Sequence, residues 1–291
     1  MDAVSQVGLI ESFRDAQIQI RSDAYLREKT RHMQAGTRLY LDQYVAVAAK
    51  RKAETPSVSV VGDTTFSCAG KWIRAGEKTA VLNFANACIP GGGVKNGAMA
   101  QEECLCRSSN LYESLTLPYI VRHYYKWNQR NTGDMGSDLI IYSPDVTVFR
   151  TDDIYPATLP KAQWFDVDVI TCAAPYVDQQ KKKPVSADKL TQVLEDRIRN
   201  ILEVAAANDV DHLILGAFGC GAFHNPPEMV AGVFKSLLID DGYALLFQSV
   251  VFAIKKDDAP RGNLSVFRSV FSHERADEKK KMRCDACTMK A

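Results

Sequence analysis

Two acidic residues that follow a run of three glycines are the part of this sequence best suited to chemistry. Gly91, Gly92 and Gly93 come after a proline, and Glu102 and Glu103 follow them after a short spacer. Consecutive glycines allow a ligand to approach bare peptide groups, and successive N–H groups in such a turn bind anions. This combination predicts an acid–base site beside an anion-binding loop. A flexible surface loop is the alternative.

The two glutamates are adjacent, which limits how they share the chemistry. On a helix, neighbouring residues point about 100° apart, so Glu102 and Glu103 are not expected to face each other. One carboxyl group is free to reach the reacting centre while the other holds a neighbouring hydroxyl, and Gln101 adds a neutral amide beside them. Glutamates in the first turn of a helix also complement its dipole without any catalytic role. The glycine loop before them favours catalysis.

A second glycine-rich loop spans residues 216–227 and follows an apolar run that ends at Leu215. Pro226 at the first helical position and Glu228 at the capping-box spacing predict a helix that begins at Asn225. A strand, a glycine loop and a helix N-terminus together form a phosphate-binding arrangement, because free N–H groups face the anion. Taken alone, the loop fits a tight structural turn equally well.

Two familiar nucleotide-binding motifs fail at these loops. Gly92 and Gly97 have Walker A spacing, but Ala98 and Met99 occupy the positions of its lysine and hydroxyl residue. In the second loop, Asn225 stands where a dinucleotide-binding fingerprint requires its third glycine. P-loop nucleotide hydrolases and redox dinucleotide enzymes are therefore disfavoured.

Short β-rich runs alternate with helical patterns and supply the scaffold for both loops. Strands are predicted at residues 58–61, 80–84, 139–142, 167–171, 212–215 and 249–254. Helices are predicted over residues 101–115, over 186–208 with Ser186 as the N-cap, and from Asn225 onward. This alternation is typical of an α/β domain with helices on both faces of the sheet.

The two ends of the chain differ from this α/β region. Residues 1 to about 52 are polar and predicted to be helical, with an intermittent apolar stripe formed by Met33, Leu39, Tyr40, Tyr44, Val45 and Ala48. Residues 275–291 are predicted to form a charged, flexible tail. We therefore divide the chain into an N-terminal helical extension (1–56), a central catalytic domain (57–274) and the tail.

Composition excludes several classes of protein. The 291-residue chain has 36 Lys and Arg against 35 Asp and Glu, a net charge of +1, which argues against nucleic-acid binding by bulk electrostatics. No stretch approaches 18 apolar residues, and the first residues lack a signal-peptide pattern. We expect a soluble, intracellular and cytoplasmic protein, with nuclear residence or delivery into a host cell left open.

The eight cysteines do not suggest a disulfide framework. Cys284 and Cys287 have a metal-like spacing, but they have no second pair and lie in the charged tail. They are interpreted as surface cysteines, and no metal or cofactor is expected.

The glycine loop and its acidic residues resemble the signature of poly(ADP-ribose) glycohydrolases, in which three glycines and a short spacer precede Gln-Glu-Glu. Here seven residues separate Gly93 from Gln101. The flanking sequence from Asn83 to Tyr112, the loop at residues 216–223 and residues 173–175 are similar to the shorter bacterial and fungal type. The resemblance extends from about residue 27 to residue 254.

This resemblance implies a macrodomain fold: a three-layer α/β/α arrangement with a mixed central sheet and an N-terminal helical extension, binding ADP-ribose in a cleft. It implies that Glu103 is the catalytic residue and that Glu102 and Gln101 hold ribose groups near the scissile bond. The first glycine loop, Gly91, Gly92 and Gly93, would lie along the diphosphate and its ribose.

The other site residues implied by the resemblance lie at the ends of predicted strands. Asn83 and Asn86 stand where the first ligand-binding loop leaves its strand. The second phosphate loop comprises Gly219, Cys220, Gly221, Ala222 and Phe223, followed by Asn225. Within it, Phe223 is expected near the reacting ribose.

The expected reaction is hydrolysis of the ribose–ribose O-glycosidic bond, which passes through an oxocarbenium-like state. One carboxyl group, that of Glu103, would protonate the leaving oxygen and then activate water, so Glu103 is expected to start protonated. A rate that is flat from about pH 4 to 9 would contradict that role. Expected partners are poly(ADP-ribose) or an ADP-ribosylated protein as substrate and ADP-ribose as product, with no membrane and no direct nucleic-acid binding.

Two other functions share the same pocket. One is the removal of single ADP-ribose units from a protein side chain or a nucleobase; the other is a binding module that does not cleave its ligand. The intact Gln101, Glu102 and Glu103 argue against the binding module.

Three further positions stay open. Asp63 is either a contact to the adenine or a turn residue, and residues 133–136 are a candidate mobile loop near the cleft. Lys181 to Lys183 form either a solvated loop or a basic patch that steers an anionic polymer.

Overall fold

Seven strands form one mixed sheet in the computed structural model, which describes residues 5–41, 50–133, 135–177, 185–256 and 262–272. The strands are β1 (Arg38–Tyr40), β2 (Val58–Val61), β3 (Thr79–Phe84), β4 (Ile140–Val148), β5 (Phe165–Cys172), β6 (His212–Leu215) and β7 (Ser249–Ala253). Their order across the sheet is β1-β4-β5-β3-β6-β7-β2. The strands from β5 to β2 are parallel, and β4 and β1 add antiparallel pairings at one edge. All six strands predicted from the sequence are confirmed.

Helices cover both faces of this sheet. On one side lie α1 (Gln6–Ser22), α2 (Ala24–Gly36), α3 (Thr65–Gly70), α4 (Gln101–Ser108) and α5 (Leu111–Leu115). The same side carries α6 (Pro118–Ile120), which continues through a π-helical turn (Val121–Tyr125) into α7 (Lys126–Asn131). On the other side lie α8 (Ala187–Ala207), α9 (Pro227–Lys235) with a π-helical continuation (Ser236–Asp240), and α10 (Asn263–Ser272). This is the three-layer α/β/α fold that was expected.

The central strands are apolar throughout because both of their faces are buried. In β3, Ala80 and Leu82 point into the core beneath α8 and α9, whereas Val81 points into the core beneath α4 and α5. Successive strand residues face opposite sides of a sheet, so one apolar run serves two cores. The short apolar runs in the sequence therefore predict strands, but they lack the alternation of apolar and polar residues that is typical of a sheet with one exposed face.

The long helix α8 forms as predicted. The Ser186 hydroxyl accepts a hydrogen bond from the Lys189 N–H, which satisfies one free donor at the helix start, and Asn208 follows the last helical residue. Leu190, Leu194 and Ile198 recur at helical spacing and are buried against the sheet.

The N-terminal segment differs from the helical prediction at one place. Residues 38–40 form β1 instead of continuing a helix, and Leu39 pairs with Ile141 at the antiparallel edge of the sheet. This pairing is a tertiary contact, so no local periodicity records it. Tyr44, Val45 and Ala48 lie outside the described residues, as does the predicted tail, and the division at residues 56 and 274 stays a prediction.

The helix predicted over residues 101–115 is wrong at its centre, where it divides into α4 and α5. Ser109 adopts an extended conformation with φ −146° and forms an isolated bridge with Val148 of β4. The side-chain oxygen of Asn110 accepts a hydrogen bond from the Thr147 N–H at 2.9 Å. Pairing with β4 replaces the helical hydrogen bonds at this point, which redirects the chain after α4.

The predicted start of α9 is also corrected. The helix begins at Pro227 with Pro226 as its N-cap, and no side chain caps its N–H groups, so Glu228 does not complete a capping box. Asn225 instead directs its side-chain amide away from the helix, toward the loops that end β5 and β6. Among the helices of the described residues, none is long and apolar enough to cross a membrane.

Candidate active site

A cleft of about 770 Å³ opens at the carboxyl ends of the parallel strands. Loops that follow β2, β3, β5, β6 and β7 form its walls, together with the start of α4. Ligands of open α/β sheets bind at this edge, because strand ends and helix N-termini leave backbone groups without partners there. Both glycine loops singled out in the sequence reach this cleft or the residues directly behind it.

Glu103 lies in the first turn of α4 and is only 6% exposed. Its Oε1 accepts a hydrogen bond from the Gly93 N–H at 2.8 Å. Its Oε2 is buried and has no hydrogen-bond partner among the described residues. One oxygen is thus held by the glycine loop, and the other is buried without a hydrogen-bond partner among the described residues.

Glu102 is 2% exposed and faces the strand that precedes the loop. Its Oε2 accepts a hydrogen bond from the Asn86 N–H at 2.8 Å, and its Oε1 accepts a weaker one from the Asn83 side chain at 3.4 Å. Burial raises the pKa of Glu102 to about 8, and the nearby charge of Glu103 adds to the rise although the Asn86 hydrogen bond opposes it. The carboxyl group of Glu102 is therefore neutral near pH 7.

Both glutamates reach the same glycine, although adjacent helix positions diverge. A Cβ atom added at Gly92 would lie 2.5 Å from Glu103 Oε1 and 3.0 Å from Glu102 Oε2. Gly92 has φ +56°, a conformation that side-chain-bearing residues adopt at a cost. The expectation that the two carboxyl groups do not face each other is therefore modified, because both long side chains extend to one loop.

Gln101 anchors the start of α4 to the end of β3. Its side-chain oxygen accepts a hydrogen bond from the Phe84 N–H at 2.9 Å, and its side-chain nitrogen donates to Leu82 O at 2.7 Å and to Thr65 Oγ1 at 3.0 Å. The amide borders the cleft, but protein groups occupy its oxygen and its nitrogen. In this structure Gln101 is a positioning residue, and the ribose contact implied for it stays a prediction.

Asn225 ties together the loops that follow β5 and β6. Its Nδ2 donates to Pro175 O at 2.8 Å and to Gly219 O at 3.1 Å. Gly219 has φ +72°, and a Cβ there would lie 2.5 Å from both Ala174 Cβ and Asn225 Nδ2. Glycine is required at this position because the two loops meet without room for a side chain.

The second loop presents backbone and one aromatic ring to the cleft. Gly221 and Ala222 are exposed at its surface, and Phe223 is half-buried with its ring centroid 5.9 Å from that of Tyr176. Cys220 turns away from the cleft, and its thiol hydrogen-bonds to Phe218 O. Burial raises the pKa of the Cys220 thiol to about 12, so it is not a thiolate near neutral pH.

The fourteen residues singled out by sequence divide into two groups. Eight line the cleft: Asn86, Gln101, Glu102, Glu103, Gly219, Gly221, Ala222 and Phe223. Six lie behind these and shape them: Asn83, Gly91, Gly92, Gly93, Cys220 and Asn225. Their roles toward a ligand stay predictions.

Asp152 is a cleft residue that the sequence analysis missed. It is 7% exposed, and its carboxylate accepts hydrogen bonds from the Phe66 N–H at 2.6 Å and from Thr64 Oγ1 at 2.7 Å, so it caps α3 from more than 80 positions away. Burial raises the pKa of Asp152 above its ordinary value although these hydrogen bonds oppose the rise. No local motif predicts such a cap, because the two segments meet only in the folded chain.

Arg107 is a second residue that the sequence analysis missed. It lies four residues after Glu103 on α4 and is fully buried. Its guanidinium donates to Ala98 O at 2.7 Å and to Cys104 Sγ at 3.4 Å. Arg107 thereby holds the segment between the glycine loop and α4 against the helix.

Three positions left open by the sequence have different outcomes. Asp63 borders the cleft, but its carboxylate accepts a hydrogen bond from the Thr64 N–H at 2.9 Å and pairs with Lys71 Nζ at 2.5 Å, as a turn residue does. In the loop at residues 133–136, Gly136 approaches Ala87 beside the first glycine loop, whereas residue 134 is outside the described part of the chain. Lys181 to Lys183, Cys284 and Cys287 also lie outside it.

Comparison with known proteins identifies the class to which this cleft belongs. Residues 12–151 match the family described as microbial-type PARG, catalytic domain, where PARG stands for poly(ADP-ribose) glycohydrolase. The crystal structure of the poly(ADP-ribose) glycohydrolase from Thermomonospora curvata is 32% identical, with a TM-score of 0.79, over 90% of this chain and 99% of that chain. No curated protein matches the sequence at a significant level.

Two structures with bound ligands are similarly close. The Thermomonospora curvata enzyme bound to the inhibitor ADP-HPD is 32% identical with a TM-score of 0.78, over 90% of this chain and 99% of that chain. The poly(ADP-ribose) glycohydrolase from Deinococcus radiodurans in complex with ADP-ribose is 34% identical with a TM-score of 0.71, over 84% of this chain and 97% of that chain. The fold and site define a glycohydrolase with a macrodomain-like architecture. The chain belongs to the family of microbial-type poly(ADP-ribose) glycohydrolases, as the resemblance implied.

Proposed function

We propose that this protein hydrolyses the ribose–ribose O-glycosidic bond of poly(ADP-ribose) and releases ADP-ribose, with Glu103 acting as both acid and base. The observation that carries the proposal is the buried carboxyl pair at Gly92, in which Glu103 keeps one oxygen without a partner among the described residues. A ligand-bound structure in the same family, that of the Deinococcus radiodurans enzyme, contains ADP-ribose.

The second glycine loop provides the binding part of the mechanism. The exposed backbone of the second loop, at Gly221 and Ala222, suits an anionic diphosphate, because bare N–H groups bind phosphate oxygens. Phe223 borders the same cleft and packs against the reacting ribose, whose anomeric carbon then lies near Glu103. The negative diphosphate stabilises the positive charge that develops at this carbon.

The bond cleavage proceeds in two proton transfers. Glu103 Oε2 donates its proton to the leaving ribose hydroxyl oxygen as the C–O bond breaks, which leaves an oxocarbenium-like ribose and a carboxylate. Water then adds to the anomeric carbon and gives a proton to Glu103, which regenerates the acid. The Gly93 N–H holds the other oxygen of Glu103 and so fixes the direction of the carboxyl group throughout.

Glu102 has a supporting role in this scheme. Because burial keeps the carboxyl group of Glu102 protonated near pH 7, no neighbouring negative charge opposes the carboxylate that Glu103 becomes when it gives up its proton. The position of Glu102 at the cleft allows it to hydrogen-bond a ribose hydroxyl while the Asn86 N–H holds its Oε2. It orients the sugar and does not take part in the proton transfers.

The test measures ADP-ribose released from poly(ADP-ribose) and, separately, from a mono-ADP-ribosylated protein. We expect release from the polymer, and we expect Glu103→Gln to lower kcat by about 1,000-fold while the affinity for ADP-ribose stays within about threefold. Glu54→Gln, which removes an exposed carboxylate that does not line the cleft, is the matched control and should retain full activity.

Three other outcomes would overturn the proposal. Release only from the mono-ADP-ribosylated protein would assign the enzyme to a different bond. Binding of ADP-ribose without release from either substrate would make the protein a binding module. Full activity of the Glu103→Gln variant would remove Glu103 from the mechanism.

A further inference from the structure

A surface helix carries aromatic and basic side chains that the proposed reaction does not use. Residues 118–131, named here the aromatic–basic helix, comprise α6, the π-helical turn and α7. Its inner side is formed by Ile120, Tyr124 and Tyr125, which are buried in the same core as α4 and α5, on that face of the sheet. The segment contains no aspartate and no glutamate.

One exposed stripe of this helix is aromatic. Tyr119, His123 and Trp127 recur at intervals of four, which places them along one side of a helix. The rings of Tyr119 and His123 are already in contact, with centroids 4.6 Å apart and planes tilted by 37°. Tyr119 is 53% exposed and Trp127 is 38% exposed, so both offer ring faces to solvent. Exposed ring faces of this kind stack with nucleobases.

The neighbouring stripe is basic. Arg122, Lys126 and Arg130 recur at the same interval and are all exposed. Within the described part of the chain, no carboxylate pairs with them. With the net charge of the whole chain at +1, this cluster is a local feature. Unpaired cations on an acid-free helix favour an anionic partner.

The aromatic–basic helix is attached directly to the first glycine loop. The Gln129 side chain donates a hydrogen bond to Cys88 O at 2.6 Å. Cys88 lies four residues before Gly92, where the two carboxyl groups converge. The helix is therefore fastened to the loop that leads to the carboxyl pair of the proposed site.

We propose that the aromatic–basic helix binds the part of a poly(ADP-ribose) chain that extends beyond the cleft, an inference that rests on the proposed function. Each unit of that chain carries two phosphates and one adenine. The phosphates would pair with Arg122, Lys126 and Arg130, and the adenines would stack on Tyr119 and Trp127. Attachment of the helix to the loop that leads to the carboxyl pair favours this polymer over nucleic acid. The helix would give the enzyme a preference for long chains.

The experiment compares long polymer with oligomers of two or three units. One variant removes the cations (Arg122→Gln, Lys126→Gln, Arg130→Gln), and a second removes the rings (Tyr119→Ser, Trp127→Ser). The control removes three cations from the helices on the opposite face of the sheet (Lys189→Gln, Lys235→Gln, Arg268→Gln) and so changes the net charge equally. The measurements are kcat/KM for each substrate at low and at moderate salt.

We expect the cation variant to lower kcat/KM for long polymer by about tenfold at low salt and to flatten its salt dependence. The ring variant should lower it by about threefold to tenfold. Neither variant should change kcat/KM for the short oligomers, and the control should match the wild type on every substrate.

Two results would overturn the inference. Equal losses on long and short substrates, or equal losses in the control, would show that the helix does not contact the distal chain. Tighter binding of single-stranded RNA than of long polymer in the Glu103→Gln background would assign the surface to nucleic acid. A wild-type protein that releases ADP-ribose from neither the long polymer nor the short oligomers would instead contradict the proposed function, so the two failures are distinguishable.

Discussion

Gly92 meets two separate requirements at the residue scale. Its backbone has φ +56°, and the space where a Cβ would stand is occupied by Glu103 Oε1 at 2.5 Å. A side chain at this position would therefore strain the turn and also push the Glu103 carboxyl group away. Glycine is needed here for conformation and for contact at once.

We predict that Gly92→Ala lowers kcat by about 100-fold, because a displacement of about 1 Å at a reacting group has an effect of that size. The left-handed conformation adds a loss of about 1 kcal/mol in the free energy of unfolding. Steady-state kinetics and urea denaturation measure the two effects separately.

Gly76→Ala is the matched control for this prediction. Gly76 has φ +82°, but nothing lies within 4 Å of its Cβ position. Its replacement should cost about the same stability and leave kcat unchanged. If Gly92→Ala keeps normal turnover, the contact between Gly92 and the carboxyl pair does not matter for catalysis.

At the scale of elements, the cleft depends on segments that hold one another across the chain. Gln101 fastens α4 to β3, Asn225 joins the loops after β5 and β6, and Asp152 caps α3. Each anchor satisfies backbone groups that would otherwise be buried without partners. The loops that face the ligand are thus fixed from behind.

We predict that Asp152→Ala lowers the free energy of unfolding by about 2 kcal/mol, because the Phe66 N–H and the Thr64 hydroxyl lose their acceptor in a buried setting. It should also raise KM for the polymer, since Asp152 borders the cleft. Denaturant unfolding and steady-state kinetics measure these changes.

The neighbouring residue supplies the control for Asp152. Asp153 is exposed, and Asp153→Ala should change stability by less than about 0.5 kcal/mol. Equal stabilities of the Asp152→Ala and Asp153→Ala proteins would mean that the cap on α3 contributes little.

At the scale of the whole molecule, the buried carboxyl group of Glu102 makes stability depend on pH. Its folded pKa of about 8 lies above the ordinary value of 4.5, so the folded state holds this proton more tightly than the unfolded chain does. The stability linked to this group is complete below about pH 4.5 and is lost as pH rises toward about 8. The buried carboxyl group of Glu102 therefore weakens the fold at neutral and basic pH.

We predict that Glu102→Gln removes this dependence and becomes more stable than the wild type by about 2 to 4 kcal/mol at pH 8, with a much smaller difference at pH 5. Other buried acids with raised pKa values, such as Asp168 and Glu203, are present in both proteins. Their contributions to the pH dependence of stability are therefore the same in the wild type and the variant and cancel in the comparison. Denaturant unfolding at both pH values measures the change.

Glu54→Gln removes an exposed carboxylate in the same way and should leave the pH dependence as it is in the wild type. Parallel profiles for the wild type and the Glu102→Gln variant would show that Glu102 does not titrate in this window.

The sequence by itself determined the features that depend on neighbours along the chain. The six predicted strands are recognisable because buried strands of a parallel sheet are apolar throughout. The α8 helix is recognisable because Ser186 and the stripe beginning at Leu190 mark it locally. The glycine loop and the acidic residues also lie close together in sequence, so their meeting in one site was predictable, whereas their roles toward a ligand stay predictions.

Only the tertiary structure decided the features that join distant segments. The pairing of Leu39 with Ile141, the break of the helix at Ser109 and the cap supplied by Asp152 all satisfy backbone groups with partners far along the chain. The convergence of Glu102 and Glu103 on Gly92 belongs to the same class, because the fold of the loop sets it. Local sequence patterns predict contacts between residues that are neighbours along the chain. The contacts between distant segments form only once the sheet has brought those segments together, so no local pattern predicts them.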